Sequence, residues 1–213
     1  MLDEPSEGEL TSIITTEHFT LQTARAAAIA QANGRATTYM GVLSSSLIAL
    51  ALVGQTTGLN RFFYVFGLLL FVPLAVLGLF TFERTMQLGL EDVSYATRIN
   101  RLRRFYFRSS QAIDEYLMRP AQSDDVAAVM EQGGVAYLRR LQGFTTTAGL
   151  IALVNSFLFA VLVGFAVELS GADVRVLIPL GAIVFVLSVG AQYRHAMRAF
   201  RRLNRALGSR TDR

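Results

Sequence analysis

Arginine is the residue of this chain best able to do chemistry on a partner. Arg98, Arg101, Arg103, Arg104 and Arg108 stand among Leu102, Phe105, Tyr106 and Phe107. Guanidinium groups at that density pair with carboxylates or phosphates, and interleaved aromatics add apolar contact area. Arg98, Arg101, Arg104 and Arg108 are therefore candidates for binding an anion or a protein partner. The plainer reading pairs them with the chain's own Glu7, Glu9, Asp114, Glu115, Asp124 and Asp125. A second run, Arg194, Arg198, Arg201, Arg202 and Arg205, directly follows an apolar stretch and faces away from Tyr193, Met197, Phe200 and Leu207 on a helical projection. That placement suits lipid headgroups, which attract each arginine by about 1 kcal/mol near an anionic leaflet. No nucleic-acid fold or stacking motif accompanies either run, so no nucleic acid is expected.

Catalytic constellations do not emerge. His18 and His195 are the two histidines, Cys is absent, and neither His has a carboxylate at ligand spacing, so no metal and no cofactor are expected. Adjacent Asp124 and Asp125 read as a helix start, favoured by the macrodipole, rather than as an acid/base pair. No glycine-rich phosphate loop occurs. The expectation is a protein without enzymatic activity and without catalytic residues.

The elements that must position these residues are set by hydropathy. With 52% hydrophobic residues among 213 and a mean hydropathy of +0.40, the apolar content exceeds what one small core can bury. It is gathered into four runs at 37–56, 62–82, 147–167 and 174–191, the first three without Asp, Glu, Lys or Arg and the last with Arg175 alone, at its start. A helix rising about 1.5 Å per residue crosses a hydrocarbon core of about 30 Å in roughly 20 residues. The runs are apolar around their whole circumference, which sets them apart from the striped helices of a soluble bundle. The connections 57–61 and 168–173 hold little more than a turn. The sequence therefore predicts an all-α membrane protein with four transmembrane helices arranged as two hairpins with helical cytoplasmic extensions.

Arginine also orients the hairpins. All 20 basic residues are Arg, and only Arg61 and Arg175 adjoin the short loops, so both termini and the middle segment are expected in the cytoplasm. The first apolar run lies far into the chain behind acidic Asp3, Glu4, Glu7 and Glu9, so no signal peptide is expected before it. Exclusive use of Arg over Lys fits a GC-rich bacterial genome, which gives a multi-pass protein of the bacterial inner (cytoplasmic) membrane.

Within the runs, Ser44, Ser45, Ser46, Asn155 and Ser156 are the notable polar residues. They could line a polar pore, or they could act as interhelical glue through hydrogen bonds contributing about 0.6 kcal/mol each, the reading that close-packed helix faces favour. Ala148, Ala152, Ser156, Ala160 and Gly164 recur every four residues and form a candidate helix-packing groove, with a shorter version at Gly41, Ser45 and Ala49. Intramembrane carboxylates are missing, which argues against a proton relay or a cation-coupled pump. Pro73 and Pro179 fall inside spans, where neighbours can satisfy the freed carbonyl. Ser45–Gly54 (SSLIALALVG) can be laid over Asn155–Gly164 (NSFLFAVLVG) as an internal repeat.

Outside the runs, 1–16 reads as a flexible acidic tail, with Thr16 capping a helix that starts at Glu17. Helical patterning continues from the second span to Arg108, so 17–108 forms the first hairpin with an antiparallel stalk. Along a straight helix the first arginine cluster lies roughly 25 to 40 Å beyond the membrane, several Debye lengths away. Residues 109–134 read as short helices and loops broken by Gly133 and Gly134, 135–207 as the second hairpin with a basic C-terminal helix, and 208–213 as a flexible tail.

The segments ARAAAIAQANGRATTYMGVLSSSLIALAL, FERTMQLGLEDVSYATRINRLRRFY and GFTTTAGLIALVNS resemble a family of uncharacterised four-helix membrane proteins found in actinobacteria. More distantly, the plan of helical extension, membrane hairpin and helical extension is similar to the SLATT domain. That resemblance implies a membrane effector of bacterial conflict or nucleotide signalling, acting as a pore, and transfers no functional residue. The expected function is an oligomeric pore-forming or membrane-effector protein controlled by its cytoplasmic helices, with lipids and copies of itself as partners. The alternative is a membrane scaffold docking a cytoplasmic protein through its basic and aromatic cluster.

Overall fold

The computed structural model describes residues 6–109 and 146–208. The segment 110–145, with its expected short helices and glycine break, and the tail 209–213 lie outside the described residues. The chain is an all-α membrane protein. Among the described residues its helices are α1 (Glu7–Thr57), α2 (Arg61–Ser109), α3 (Thr147–Leu169) and α4 (Val174–Gly208). Each is long and apolar enough to cross a membrane. Large apolar side chains such as Leu69, Phe80 and Ile178 point outward along them, as a lipid solvent allows.

The first helix begins well before the expected start at Glu17. Ser6 Oγ accepts a hydrogen bond from the Glu9 amide at 3.3 Å, while the Glu9 carboxylate accepts from the Ser6 amide at 2.9 Å. This reciprocal capping box satisfies two of the free amides of the first turn. Thr16 is consequently not a cap. Its hydroxyl donates to the Ser12 carbonyl inside the helix at 2.9 Å, and the described part of the acidic tail is helical.

Both hairpin turns use one device. Gly58 and Gly171 each adopt φ 72°, the left-handed conformation that ends a helix at little cost to glycine. An amide or carboxylate then caps the next helix. Asn60 Oδ1 accepts from the Phe63 amide at 3.2 Å, and Asp173 Oδ1 from the Arg175 amide at 2.9 Å.

The described residues fall into two compact units. One holds α1 up to Gln31, α2 from Leu88 and α4 from Phe200. There the buried residues Leu21 and Ala28 of α1 and Val93, Ala96 and Ile99 of α2 supply the apolar contacts. Arg25 Nε donates to Asp92 Oδ1 at 2.6 Å, and the Arg103 guanidinium acts on His18, so the two segments run antiparallel.

The other unit holds Ala32–Gln87, α3 and α4 up to Ala199, and contains the four apolar runs. In it α1 and α2 pair through Gly54 with Phe63, Leu50 with Gly67, and Tyr39 with Gly78. Residue numbers in each pair add to one constant, the signature of an antiparallel register held along the hairpin. Hydrogen bonds from Thr147 to Asn33 and from Tyr39 to Asn155 set α1 parallel to α3. The aromatic contacts of Phe165 with Phe63, Tyr64 and Phe71 join α3 to α2. Helices α2 and α3 thus form the centre. Of the most apolar window of each helix, 39% is buried in α2 and 33% in α3, against 22% in α1 and 6% in α4.

Candidate functional site: a buried polar core between apolar helices

Asn155 forces the site into existence. An amide in the middle of an uncharged span has two donors and an acceptor and no water to meet them, so a neighbouring helix must answer. Tyr39 of α1 answers, its hydroxyl donating to Asn155 Oδ1 at 2.7 Å with both residues buried. The pair can form because α2 offers a glycine there. A methyl group on Gly78 would lie 2.0 Å from Asn155 Oδ1 and 2.6 Å from the Tyr39 hydroxyl. Any larger residue would enter the hydrogen bond.

One position further along α3, Ser156 opens a second polar group, toward α4. Its hydroxyl donates to the Ala152 carbonyl at 2.7 Å and lies 3.0 Å from Ser188 Oγ. Gln192 Nε2, one turn beyond Ser188, reaches the Ala152 carbonyl at 3.2 Å and the hydroxyls of Ser156 and Ser188 at 3.0 and 3.1 Å. Asn155 and Ser156 thus tie α3 to α1 and to α4 from adjacent positions. Asn155 Nδ2 and Gln192 Oε1 remain buried without a hydrogen-bond partner among the described residues. A buried unpaired amide costs about 1–3 kcal/mol, so the core is held together with unspent bonding capacity.

The five polar residues singled out in the sequence do not form one lining. Asn155 and Ser156 are wholly buried within the chain. Ser46 is buried and donates to its own helix at the Val42 carbonyl, 2.8 Å away. Ser45 donates to the Gly41 carbonyl at 3.0 Å but, like Ser44, lies on the exposed face of α1. Sequence reading missed Tyr39, Gly78, Ser188 and Gln192. The available signal was Asn155 itself, whose unmet valences demand polar partners at the same depth.

The small-residue groove of α3 is occupied by α4 of the same chain. Gln192 bonds at Ala152 and Ser188 at Ser156, while a methyl on Gly181 would lie 3.8 Å from the Ala160 carbonyl and one on Gly164 3.9 Å from Leu177. Within the chain, the helix that packs on this candidate groove is therefore α4. Close approach of two backbones is what small residues at four-residue spacing permit.

Charged groups lie at the ends. Glu83 Oε2 and His195 Nε2 are 2.9 Å apart, with the His195 ring beside Phe82. Arg194 and Arg198 are exposed in this unit, and Arg201, Arg202 and Arg205 are exposed in the other. Arg98 and Arg101 are likewise exposed, whereas the side chains of Arg104 and Arg108 lie outside the described residues. Around His18, burial and then the Arg103 guanidinium hold the imidazole below its ordinary range. Among the described residues no three potential ligands gather around a metal position. Chemically, the arrangement joins helices and leaves hydroxyls and guanidinium groups facing outward. Compared with protein-family models, curated proteins and solved structures, the chain finds no match.

Proposed function

We propose that this protein is an oligomeric membrane effector of the bacterial cytoplasmic membrane, in which copies assemble around a permeation path controlled by their cytoplasmic helices. The observation that carries the reading is the outward strip of α1. Thr37, Thr38, Gly41, Ser44 and Ser45 are all exposed, while Ala36, Tyr39, Ser46 and Leu50 on the opposite face are buried. The Thr38 and Ser45 hydroxyls already donate within the helix to the Gly34 and Gly41 carbonyls; lipid offers the strip no further polar partner, whereas a water-filled path between copies does. The α4 span, with only 6% of its most apolar window buried, leaves surface for the assembly itself. Arginine confined almost wholly to one side of the hairpins supports cytoplasmic termini, and the exposed arginines of α4 suit the anionic inner leaflet.

Conductance decides the matter. The purified oligomer in planar bilayers is expected to pass current, and Ser44→Leu with Ser45→Leu to reduce it at least tenfold while membrane insertion is unchanged. Silent bilayers sink the reading. Exposure of Arg98 and Arg101 favours a second reading, a scaffold that docks an acidic cytoplasmic protein. Charge reversal at Arg98 and Arg101 then abolishes capture of that protein and leaves insertion intact.

A further inference from the structure

The two hairpins resemble one another in their contacts, and one contact is filled in the first hairpin and open in the second. When Ser45–Gly54 is laid on Asn155–Gly164, Leu50 falls on Ala160 and Gly54 on Gly164. The second helices overlay as well: RFFYVFGLLLFV (61–72) on RVLIPLGAIVFV (175–186) matches Arg61 with Arg175, Gly67 with Gly181, Phe71 with Phe185 and Val72 with Val186. The packing agrees with both overlays. Gly54 meets Phe63 as Gly164 meets Leu177, and Leu50 meets Gly67 as Ala160 meets Gly181.

On α2 the face made by Tyr64, Gly67 and Phe71 is a cradle for an aromatic ring of the next helix. The Phe165 ring stacks on Phe71 at 6.1 Å, meets Tyr64 edge-on at 5.6 Å, and would touch a methyl on Gly67 at 2.3 Å. The equivalent face of α4 is Ile178, Gly181 and Phe185. It borders an open apolar cleft of about 530 Å³ that Ala160 and Gly164 also line. Among the described residues no further helix seats a ring on this face of α4 as α3 does on α2.

We propose that this cleft seats a transmembrane helix of a second copy, with α1 of that copy standing on α4 as α3 stands on α2. The overlay puts Gln55 where Phe165 stands, and Leu52 and Ile48, 57% and 63% exposed, continue its face toward the membrane centre. That apolar half of the strip packs, and the hydroxyl half beyond it stays free. The contact is head-to-tail, so each copy offers α4 to one neighbour and α1 to the other, and the array closes into a ring when the rotation allows. The inference rests on the oligomeric reading above and names its interface.

Because the chain has no cysteine, introduced pairs report without background. Double variants carrying Leu52→Cys or Gln55→Cys together with Ala182→Cys or Phe185→Cys, oxidised in native membranes, are expected to give a ladder of dimers, trimers and higher species. Gly181→Phe, which fills the cradle from within, is expected to abolish the ladder and shift the mass in lipid nanodiscs to monomer. Ala182→Phe at the exposed rim should do the same if Gly181→Phe fails to fold. Three results overturn the proposal: dimers from Ala182→Cys alone, which mean a symmetric contact; no cross-link with a monomeric mass, which means lipid covers the cleft; or oligomers unchanged by either Phe variant. Conductance without the ladder sinks this interface and leaves the conduit standing. A ladder without conductance sinks the conduit and leaves the interface.

Discussion

At the scale of single residues, the polar core works by exclusion as much as by bonding. Tyr39 and Asn155 meet only because Gly78 carries no side chain. Gly78→Ala is therefore expected to destabilise the bundle by about 1–3 kcal/mol through overpacking, although alanine suits helices and membranes alike. Tyr39→Phe removes the hydrogen bond without adding bulk, and interhelical bonds of this kind contribute about 0.6 kcal/mol on average and at most about 1.7. Steric-trap or detergent unfolding should rank Gly78→Ala as the more damaging, and the reverse order would mean that the hydrogen bond dominates. His18 makes a separate prediction. Its folded pKa lies below the ordinary 6.5, so the unfolded state takes up the proton first as pH falls. The stability of the unit containing His18 is full above that ordinary value and declines as pH drops toward the folded pKa. Urea unfolding of wild type between about pH 7.5 and about pH 5.5 should show this slope, and His18→Gln should flatten it.

At the scale of elements, each helix is set by local chemistry and each pairing by small residues. Asn60 and Asp173 start the returning helices of the two hairpins. Replacing either by alanine should cost about 1 kcal/mol, with the loss confined to its own hairpin. The groove of α3 predicts a larger effect. Ala160→Leu places a branched side chain where Gly181 approaches the Ala160 carbonyl, and is expected to part α3 from α4 at a cost of about 1–3 kcal/mol. A spin-label pair on α3 and α4 would read the separation directly; an unchanged distance would mean that the hairpin is held elsewhere. The capping box at Ser6 and Glu9 belongs to this scale too. Its S-x-x-E spacing is plain in the sequence, yet the acidic composition around it reads as tail. Composition averages over a window, whereas a cap is one pair of hydrogen bonds.

At the scale of the whole molecule, four helices with this hydropathy require an amphiphile as solvent. Single cysteines at Leu59 and Ala172, in the two short turns, should be labelled by an impermeant maleimide from outside intact cells, and a cysteine at Ser6 only after permeabilisation. The opposite pattern would invert the proposed orientation. What the sequence determined by itself is the existence and length of the apolar helices and their pairing through short turns, because hydropathy, helical rise and loop length act along the chain and need no neighbour. It also marked Asn155 as a residue in need of a partner and Ala152, Ser156, Ala160 and Gly164 as a surface for close approach. Only the tertiary structure decided who the partners are. Tyr39 and Gly78 come from other helices far along the chain, and α4 fills the groove from the same chain because the α3–α4 turn delivers it there in antiparallel register. A face of small residues specifies that a backbone can come near; which backbone comes is settled by the register of the helices, and no single segment encodes that.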